Sequence, residues 1–196
     1  IVQSIRDIRG RRRFRFLRAR VTGIDLARRR VAATTGKIPY DYLIIALGST
    51  ANFFGIRGVE HCFPLYSLED AVVLRDHLLD LLEHANHESN PARKRALLTL
   101  TVVGAGYTGV ELASELRDLL YEHVAPRYRG IPVEDVRLLL LEATPNILVG
   151  VDPALARRAR RRLERKGIEL RTQTRVARVE PGRVHLTGGE VIPTGL

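Results

Sequence analysis

The chain has 196 residues, 45% of them hydrophobic, and its 32 Lys and Arg against 22 Asp and Glu give a formal net charge of +10. This length suffices for one large or two small domains with a buried core, and no apolar run reaches the roughly 18 to 20 residues that span a bilayer. The single cysteine, Cys62, excludes an internal disulfide or redox pair and is typical of a reducing, cytoplasmic setting. The basic runs are scattered and lack interleaved aromatic residues, so we expect solvated surfaces and no nucleic-acid partner.

The N-terminal quarter is predicted to form a β-meander, with strands near residues 13–22 and 30–34 joined by a turn over 23–29. A continuously apolar strand follows at residues 42–47, and its lack of alternation predicts burial on both faces. Residues 49–65 contain glycine and proline without a clear period, and we interpret them as a connector.

Strands and helices alternate in the rest of the chain. Ser67 and Asp70 have capping-box spacing, and apolar residues at helical spacing behind them predict a helix to about residue 84. Asp152 and Pro153 cap a later helix that ends at Gly167. Three residues of that helix are expected to pack on the sheet: Leu155, Ala159 and Leu163. Strands are predicted over residues 100–103, 136–141, 168–171, 174–180 and 183–187. This order predicts an α/β fold, with a Rossmann-like βαβαβ domain and a β-meander.

A glycine-rich loop joins the strand at residues 100–103 to the helix behind it. The loop consists of Gly104, Ala105, Gly106, Tyr107, Thr108 and Gly109. Gly104 allows a tight turn, Gly106 lets the backbone approach a pyrophosphate, and Gly109 lets helix and strand pack together. The positive end of the helix faces the phosphates. A loop of this kind between a strand and a helix predicts a dinucleotide-binding site.

Two acidic residues are candidates beside this loop. Glu142 ends the strand at residues 136–141, where a carboxylate accepts hydrogen bonds from an adenosine ribose and repels a 2′-phosphate, which favours NADH over NADPH. It lies farther beyond Gly109 than the usual separation of about 20 residues, because a long helix and a loop intervene. Glu111 is interpreted as lying in the first helical turn, where an acid complements the helix dipole. The six histidines lack metal-ligand spacing, so no metal site is predicted.

Three segments in this order resemble the two-dinucleotide-domain flavoprotein reductases, and among these most of all the type II NADH dehydrogenases: residues 40–49, 64–71 and 103–113. The resemblance implies four regions: part of an FAD-binding domain in 1–55, a connector in 56–64, an NADH-binding domain in 65–187, and the start of a return to the FAD domain in 188–196. It also implies that Ala46, Leu47 and Gly48 pass close to the flavin and the nicotinamide. Glu111 matches a catalytic acid near the meeting point of the two rings.

The same resemblance implies an activity in which hydride passes from NADH to FAD and electrons pass on to a quinone. The principal FAD glycine motif, a second FAD-contacting segment and the membrane-binding helices of that family match no part of this sequence. We therefore expect a central fragment that binds NADH, with FAD binding and turnover belonging to a longer parent. Peripheral contact of the parent with the cytoplasmic face of a membrane, and a homodimer, are further expectations.

Two alternatives remain open from the sequence. A related flavoprotein of the ferredoxin reductase or NADH oxidase type shares the glycine loop and differs in its electron acceptor. A non-catalytic nucleotide-binding or nucleic-acid-binding module uses the same fold as a scaffold, and it is distinguished by a salt-dependent affinity for duplex nucleic acid.

Overall fold

The computed structural model describes residues 14–48 and 50–195. The chain divides into an N-terminal unit, Ile1–Ser49, and a C-terminal unit, Thr50–Leu196. Over the residues that are described, no helix combines the length and the apolar character needed to cross a membrane.

The described part of the N-terminal unit contains an antiparallel meander, as predicted, but with different bounds. Its strands are β1 (Val21–Asp25), β2 (Arg30–Ala33) and β3 (Gly36–Pro39). The predicted first strand is wrong over residues 14–20, which form no strand, and position 13 lies outside the described residues. The turn is shorter than predicted, because β1 continues past a bulge near Gly23 to Asp25. The Asp25 carboxylate accepts a hydrogen bond from the Arg28 N–H at 2.9 Å, which closes the turn.

The predicted buried strand at residues 42–47 is also wrong. These residues form no strand, and Tyr42 is 94% exposed. An apolar strand buried on both faces needs neighbouring strands for its hydrogen bonds and a packed layer on each side. None of the described strands pairs with this segment.

The C-terminal unit alternates helices and strands. The helices are α1 (Leu68–His87), α2 (Pro91–Leu97), α3 (Tyr107–Asp118) and α4 (Pro153–Arg165). The strands are β4 (Thr99–Val103), β5 (Arg137–Leu141), β6 (Glu169–Arg171), β7 (Val176–Glu180), β8 (Arg183–Leu186) and β9 (Val191–Pro193). A π-helical segment, Leu119–Val124, extends α3, and three 3₁₀ turns occur at Val59–His61, Ala125–Arg127 and Val133–Asp135.

The first two helices begin at side-chain caps. In α1 the predicted capping box is confirmed: the Asp70 N–H donates to Ser67 Oγ at 3.0 Å, and the Ser67 N–H donates back to the Asp70 carboxylate at 2.8 Å. Helix α2 was not predicted from the sequence, although Asn90 Oδ1 accepts hydrogen bonds from two N–H groups of its first turn and Pro91 opens it. Asn90 therefore starts a new helix after α1 has ended.

Helix α4 begins and ends where the sequence predicts. Asp152 caps it, and Gly167 has a φ of +79° just beyond its end. Leu163 is buried and Ala159 packs against the core, as expected. Leu155 is 58% exposed, so its predicted packing on the sheet is wrong, and the buried face begins only after the first turn.

Two sheets and a layer of helices build the C-terminal unit. Strands β4, β5 and β6 form a parallel sheet in that order, and β7, β8 and β9 form an antiparallel meander. In the central strand β5, Leu138 and Leu140 belong to the core cluster that contains the helices, whereas Leu139 and Leu141 belong to the cluster that contains the meander. The parallel sheet is therefore covered by helices on one face and by the meander on the other, and the predicted βαβαβ order is confirmed.

Strand β9 lies in the region that was assigned to the return to an FAD domain. It pairs antiparallel with β8 and completes the meander. The division of the chain into cofactor domains at residues 55, 64 and 187 stays a prediction.

Candidate nucleotide-binding site

The glycine loop leaves β4 by a turn that only glycine tolerates well. Gly104 has a φ of +96°, and its N–H donates to the carbonyl oxygen of Leu141 at 2.8 Å, which continues the pairing of β4 with β5. A Cβ atom on Gly109 would lie 1.8 Å from the carbonyl oxygen of Gly104. Any side chain at position 109 would therefore force α3 away from the loop.

Gly106 faces open space at the start of α3. It is the N-cap, with φ −73° and ψ −170°, and no atom lies within 4 Å of the position that a Cβ would occupy. No side chain caps this end of the helix, and Tyr107 and Thr108 are exposed. The first N–H groups of α3 and its positive dipole end are thus accessible to an anion.

Ala105 connects the loop to the segment after β5. It is 1% exposed. Its N–H donates to Glu142 Oε2 at 2.8 Å, and its carbonyl oxygen accepts a hydrogen bond from the Leu148 N–H, also at 2.8 Å. The hydrogen bonds at the N–H and at the carbonyl oxygen of Ala105 thereby fix the middle of the glycine loop.

Glu142 is half-buried at the end of β5, next to the loop. Its second oxygen, Oε1, accepts hydrogen bonds from the Thr144 N–H at 2.7 Å and from Thr144 Oγ1 at 2.9 Å. Burial acts to raise the pKa of Glu142, but hydrogen bonds from Ala105 and Thr144 outweigh it, so the pKa lies below its usual value. The side chain is a carboxylate at neutral pH, as required for recognition of a ribose.

The sequence did not point to Thr144 or Leu148. A threonine two residues after a strand-end acid is a usable indication, because its N–H and hydroxyl are both within reach of that carboxylate. Leu148 has a φ of 52°, a left-handed conformation that nothing in its residue type predicts.

The other predicted site residues lie outside this arrangement. Glu111 is the fifth residue of α3 and exposed; the first turn of that helix contains no acid, so its predicted place in the first turn is wrong. Ala46, Leu47 and Gly48 belong to the N-terminal unit and are exposed, and Gly48 has a φ of +76°. The roles given to these four residues stay predictions. Over the described residues, no three His, Cys, Asp or Glu side chains are grouped to hold a metal.

The parallel sheet, the glycine loop between β4 and α3, and the covering meander define an α/β domain of the Rossmann-like class. The chain belongs to the pyridine nucleotide-disulphide oxidoreductase family, whose sequence profile matches residues 5–196.

Individual relatives agree with this membership. The chain is 36% identical to the type II NADH:quinone oxidoreductase Ndh of Mycobacterium tuberculosis over 88% of the chain and 38% of that protein. It is 32% identical to a probable NADH dehydrogenase of Dictyostelium discoideum over 100% of the chain and 46% of that protein. The structure of NDH2 from Plasmodium falciparum in complex with NADH superimposes with a TM-score of 0.75 at 24% identity, over 92% of the chain and 39% of that structure. The chain thus spans less than half the length of each of these proteins.

Proposed function

We propose that this chain is the NADH-binding segment of an FAD-dependent NADH:quinone oxidoreductase. The observation that supports it most directly is the packing of Gly109 against the carbonyl of Gly104, beside an open Gly106. Such a loop fits a pyrophosphate, because close approach of the backbone and accessible N–H groups are what a phosphate requires. The relatives named as NADH:quinone oxidoreductase and NADH dehydrogenase support the electron donor and the acceptor.

In this proposal each part of the site has one task. The N–H groups at the start of α3 bind the pyrophosphate of NADH, and Glu142 accepts a hydrogen bond from the adenosine ribose. The family resemblance gives Glu111 the role of an acid near the reacting rings, and it separately gives the Ala46 to Gly48 segment a role in contacting the cofactors. When bound, NADH would supply a hydride for a flavin held by other parts of the parent protein, and the residues of this chain would hold the NADH.

The wider setting belongs to the same proposal. A quinone acceptor dissolves in lipid, so the parent protein makes peripheral contact with the cytoplasmic face of a membrane. A homodimer is part of the proposal by resemblance alone. A reductase with a different acceptor uses the same NADH site, so the acceptor is tested separately from NADH binding.

The test is a titration of the 196-residue chain with NADH and with NADPH, followed by nicotinamide fluorescence at fixed ionic strength. Saturable binding that prefers NADH is the expected result. Binding of neither nucleotide contradicts the proposal, and a salt-dependent affinity for duplex DNA in its place favours the nucleic-acid-binding alternative. Quinone reduction is then measured in a flavoprotein that carries this chain as its NADH-binding segment, with ferredoxin and oxygen as competing acceptors.

A further inference from the structure

Thr144 makes more contacts with Glu142 than any other residue of the site. Its N–H and its Oγ1 both contact Glu142 Oε1, at 2.7 and 2.9 Å. Its own carbonyl oxygen accepts a hydrogen bond from the Gln173 N–H at 3.0 Å, which attaches Thr144 to the link between β6 and β7. Although Thr144 is exposed, its backbone is therefore fixed relative to the sheet.

The two oxygens of the Glu142 carboxylate have different hydrogen-bond partners. Each carboxylate oxygen has about two acceptor positions. Oε1 accepts two hydrogen bonds from Thr144, whereas Oε2 accepts one, from the Ala105 N–H at 2.8 Å. Among these hydrogen bonds Oε2 accepts fewer than Oε1, and Oε2 is the oxygen beside the glycine loop. The backbone of Ala143 also donates a hydrogen bond to this carboxylate.

We infer that Thr144 is a positioning residue for nucleotide recognition: it occupies Oε1 of Glu142 and so directs Oε2 toward the loop as the acceptor for a ribose hydroxyl. This inference rests on the proposed function. It makes the preference for NADH over NADPH depend on Thr144 as well as on Glu142, since a carboxylate held in place repels a 2′-phosphate more strongly than one that can rotate away.

The Thr144 hydroxyl has two acceptors within reach. Besides Glu142 Oε1, the carbonyl oxygen of Asn146 lies 2.8 Å from Oγ1. A hydroxyl has one hydrogen and donates to one acceptor at a time. A charged acceptor forms the stronger hydrogen bond, so the ionised Glu142 takes this hydrogen. The position of the hydroxyl is therefore coupled to the charge of Glu142.

The experiment compares Thr144→Val, Thr144→Ser and the control Thr174→Val. The Thr174 hydroxyl donates to the backbone carbonyl of Thr172 and makes no hydrogen bond to the Glu142 carboxylate. The Thr174 N–H donates to the Glu142 carbonyl oxygen at 2.8 Å, and valine keeps this backbone hydrogen bond. Each variant of the 196-residue chain is titrated with NADH and NADPH at pH 7.5, and its unfolding is recorded without nucleotide between pH 3 and pH 7.

Thr144→Val is expected to weaken NADH binding by about tenfold or more, the usual effect of losing a hydrogen bond to a charged group, and to weaken NADPH binding less. The pH at which the stabilising contribution of Glu142 is lost on acidification also moves upward, because one of the hydrogen bonds that lower the pKa of Glu142 is gone. Thr144→Ser restores the wild-type affinities and Thr174→Val leaves them unchanged.

Equal affinities in Thr144→Val and the unmodified chain overturn the inference. So does an equal loss for both nucleotides that Thr144→Ser fails to restore, because that result describes a structural role only. If the unmodified chain binds no NADH, the proposed function itself is contradicted; if it binds NADH and Thr144→Val binds it equally well, only the role of Thr144 is.

Discussion

Alanine at Gly106 is expected to weaken NADH binding with little effect on stability, whereas alanine at Gly109 is expected to lower stability. At Gly106 the backbone has φ −73° and ψ −170°, which an alanine adopts without strain, and its Cβ meets no atom within 4 Å. The loss of glycine at an N-cap costs about 0.5 to 1 kcal/mol, and the lower entropy of the unfolded chain offsets it by about 0.4 to 1 kcal/mol. The free energy of unfolding of Gly106→Ala therefore stays within about 0.5 kcal/mol of the unmodified value.

Gly109→Ala has a steric cost. Its Cβ would lie 1.8 Å from the carbonyl oxygen of Gly104. Ordinary contact between such atoms is about 3.5 Å, so α3 has to move by about 1.5 Å or more relative to the loop. Overpacking of this kind costs about 1 to 3 kcal/mol, which lowers the melting temperature by roughly 2 to 12 °C in a chain of this size.

Gly106→Ala is expected to weaken NADH binding even though it leaves stability nearly unchanged. If a pyrophosphate approaches the backbone at Gly106, the added methyl group occupies its place, and Gly106→Ala loses about tenfold or more in NADH affinity, or about 1.4 kcal/mol. The assays are thermal unfolding by circular dichroism and titration with NADH by fluorescence. A Gly106→Ala variant that binds NADH as tightly as the unmodified chain would refute this placement of the phosphates.

Three further predictions concern Glu142 and α1. Glu142→Ala is expected to weaken NADH binding and to reduce the discrimination against NADPH in the same titration. It should also lower the free energy of unfolding by about 1 to 3 kcal/mol, because the buried Ala105 N–H loses its acceptor. Unchanged binding of both nucleotides contradicts the assignment of Glu142. Folding lowers the pKa of Glu142, so its stabilising contribution is complete above the unfolded pKa near 4.5 and is lost as the pH falls through the folded pKa. Urea unfolding at pH 7 and at pH 3 measures this loss of stability. Glu142→Gln should reduce the difference in stability between the two pH values. Ser67→Ala removes the cap of α1 and should cost about 1 kcal/mol of stability with no change in NADH binding; a Thr101→Ser variant serves as a control outside the cap.

The secondary structure from β4 to β6 could be predicted closely from the sequence, because short-range sequence signals determine where its helices begin and end. The cap at Asp152, the glycine after α4 and the loop from Gly104 to Gly109 each determine backbone conformation through a few neighbouring residues. A local pattern also predicted α1, where the capping box and the spacing of the leucines agree. These are the cases in which residue type and burial point to the same structure.

The wrong or missing predictions concern features that depend on contacts with residues far away in the sequence. Leu155 has an apolar side chain at the right spacing, but the buried face of α4 starts beyond it. The hydrogen bonds of Ala105 with Glu142 and Leu148 join residues that lie far apart in the sequence, so no local pattern predicts them. Within the described residues, the apolar segment at 42–47 has no neighbouring strand, so its composition alone could not make it one.

That apolar segment has a consequence for the chain at high concentration. Residues 42–47 read Tyr-Leu-Ile-Ile-Ala-Leu, without charge, glycine or proline, and Tyr42, Ile44 and Leu47 are more than four-fifths exposed. Short uncharged segments of β-branched and aromatic residues pair readily with copies of themselves and form intermolecular sheets. Purified samples of this chain should therefore aggregate through this stretch, with light scattering that rises with concentration, and Ile44→Lys should suppress the aggregation while leaving the glycine loop intact.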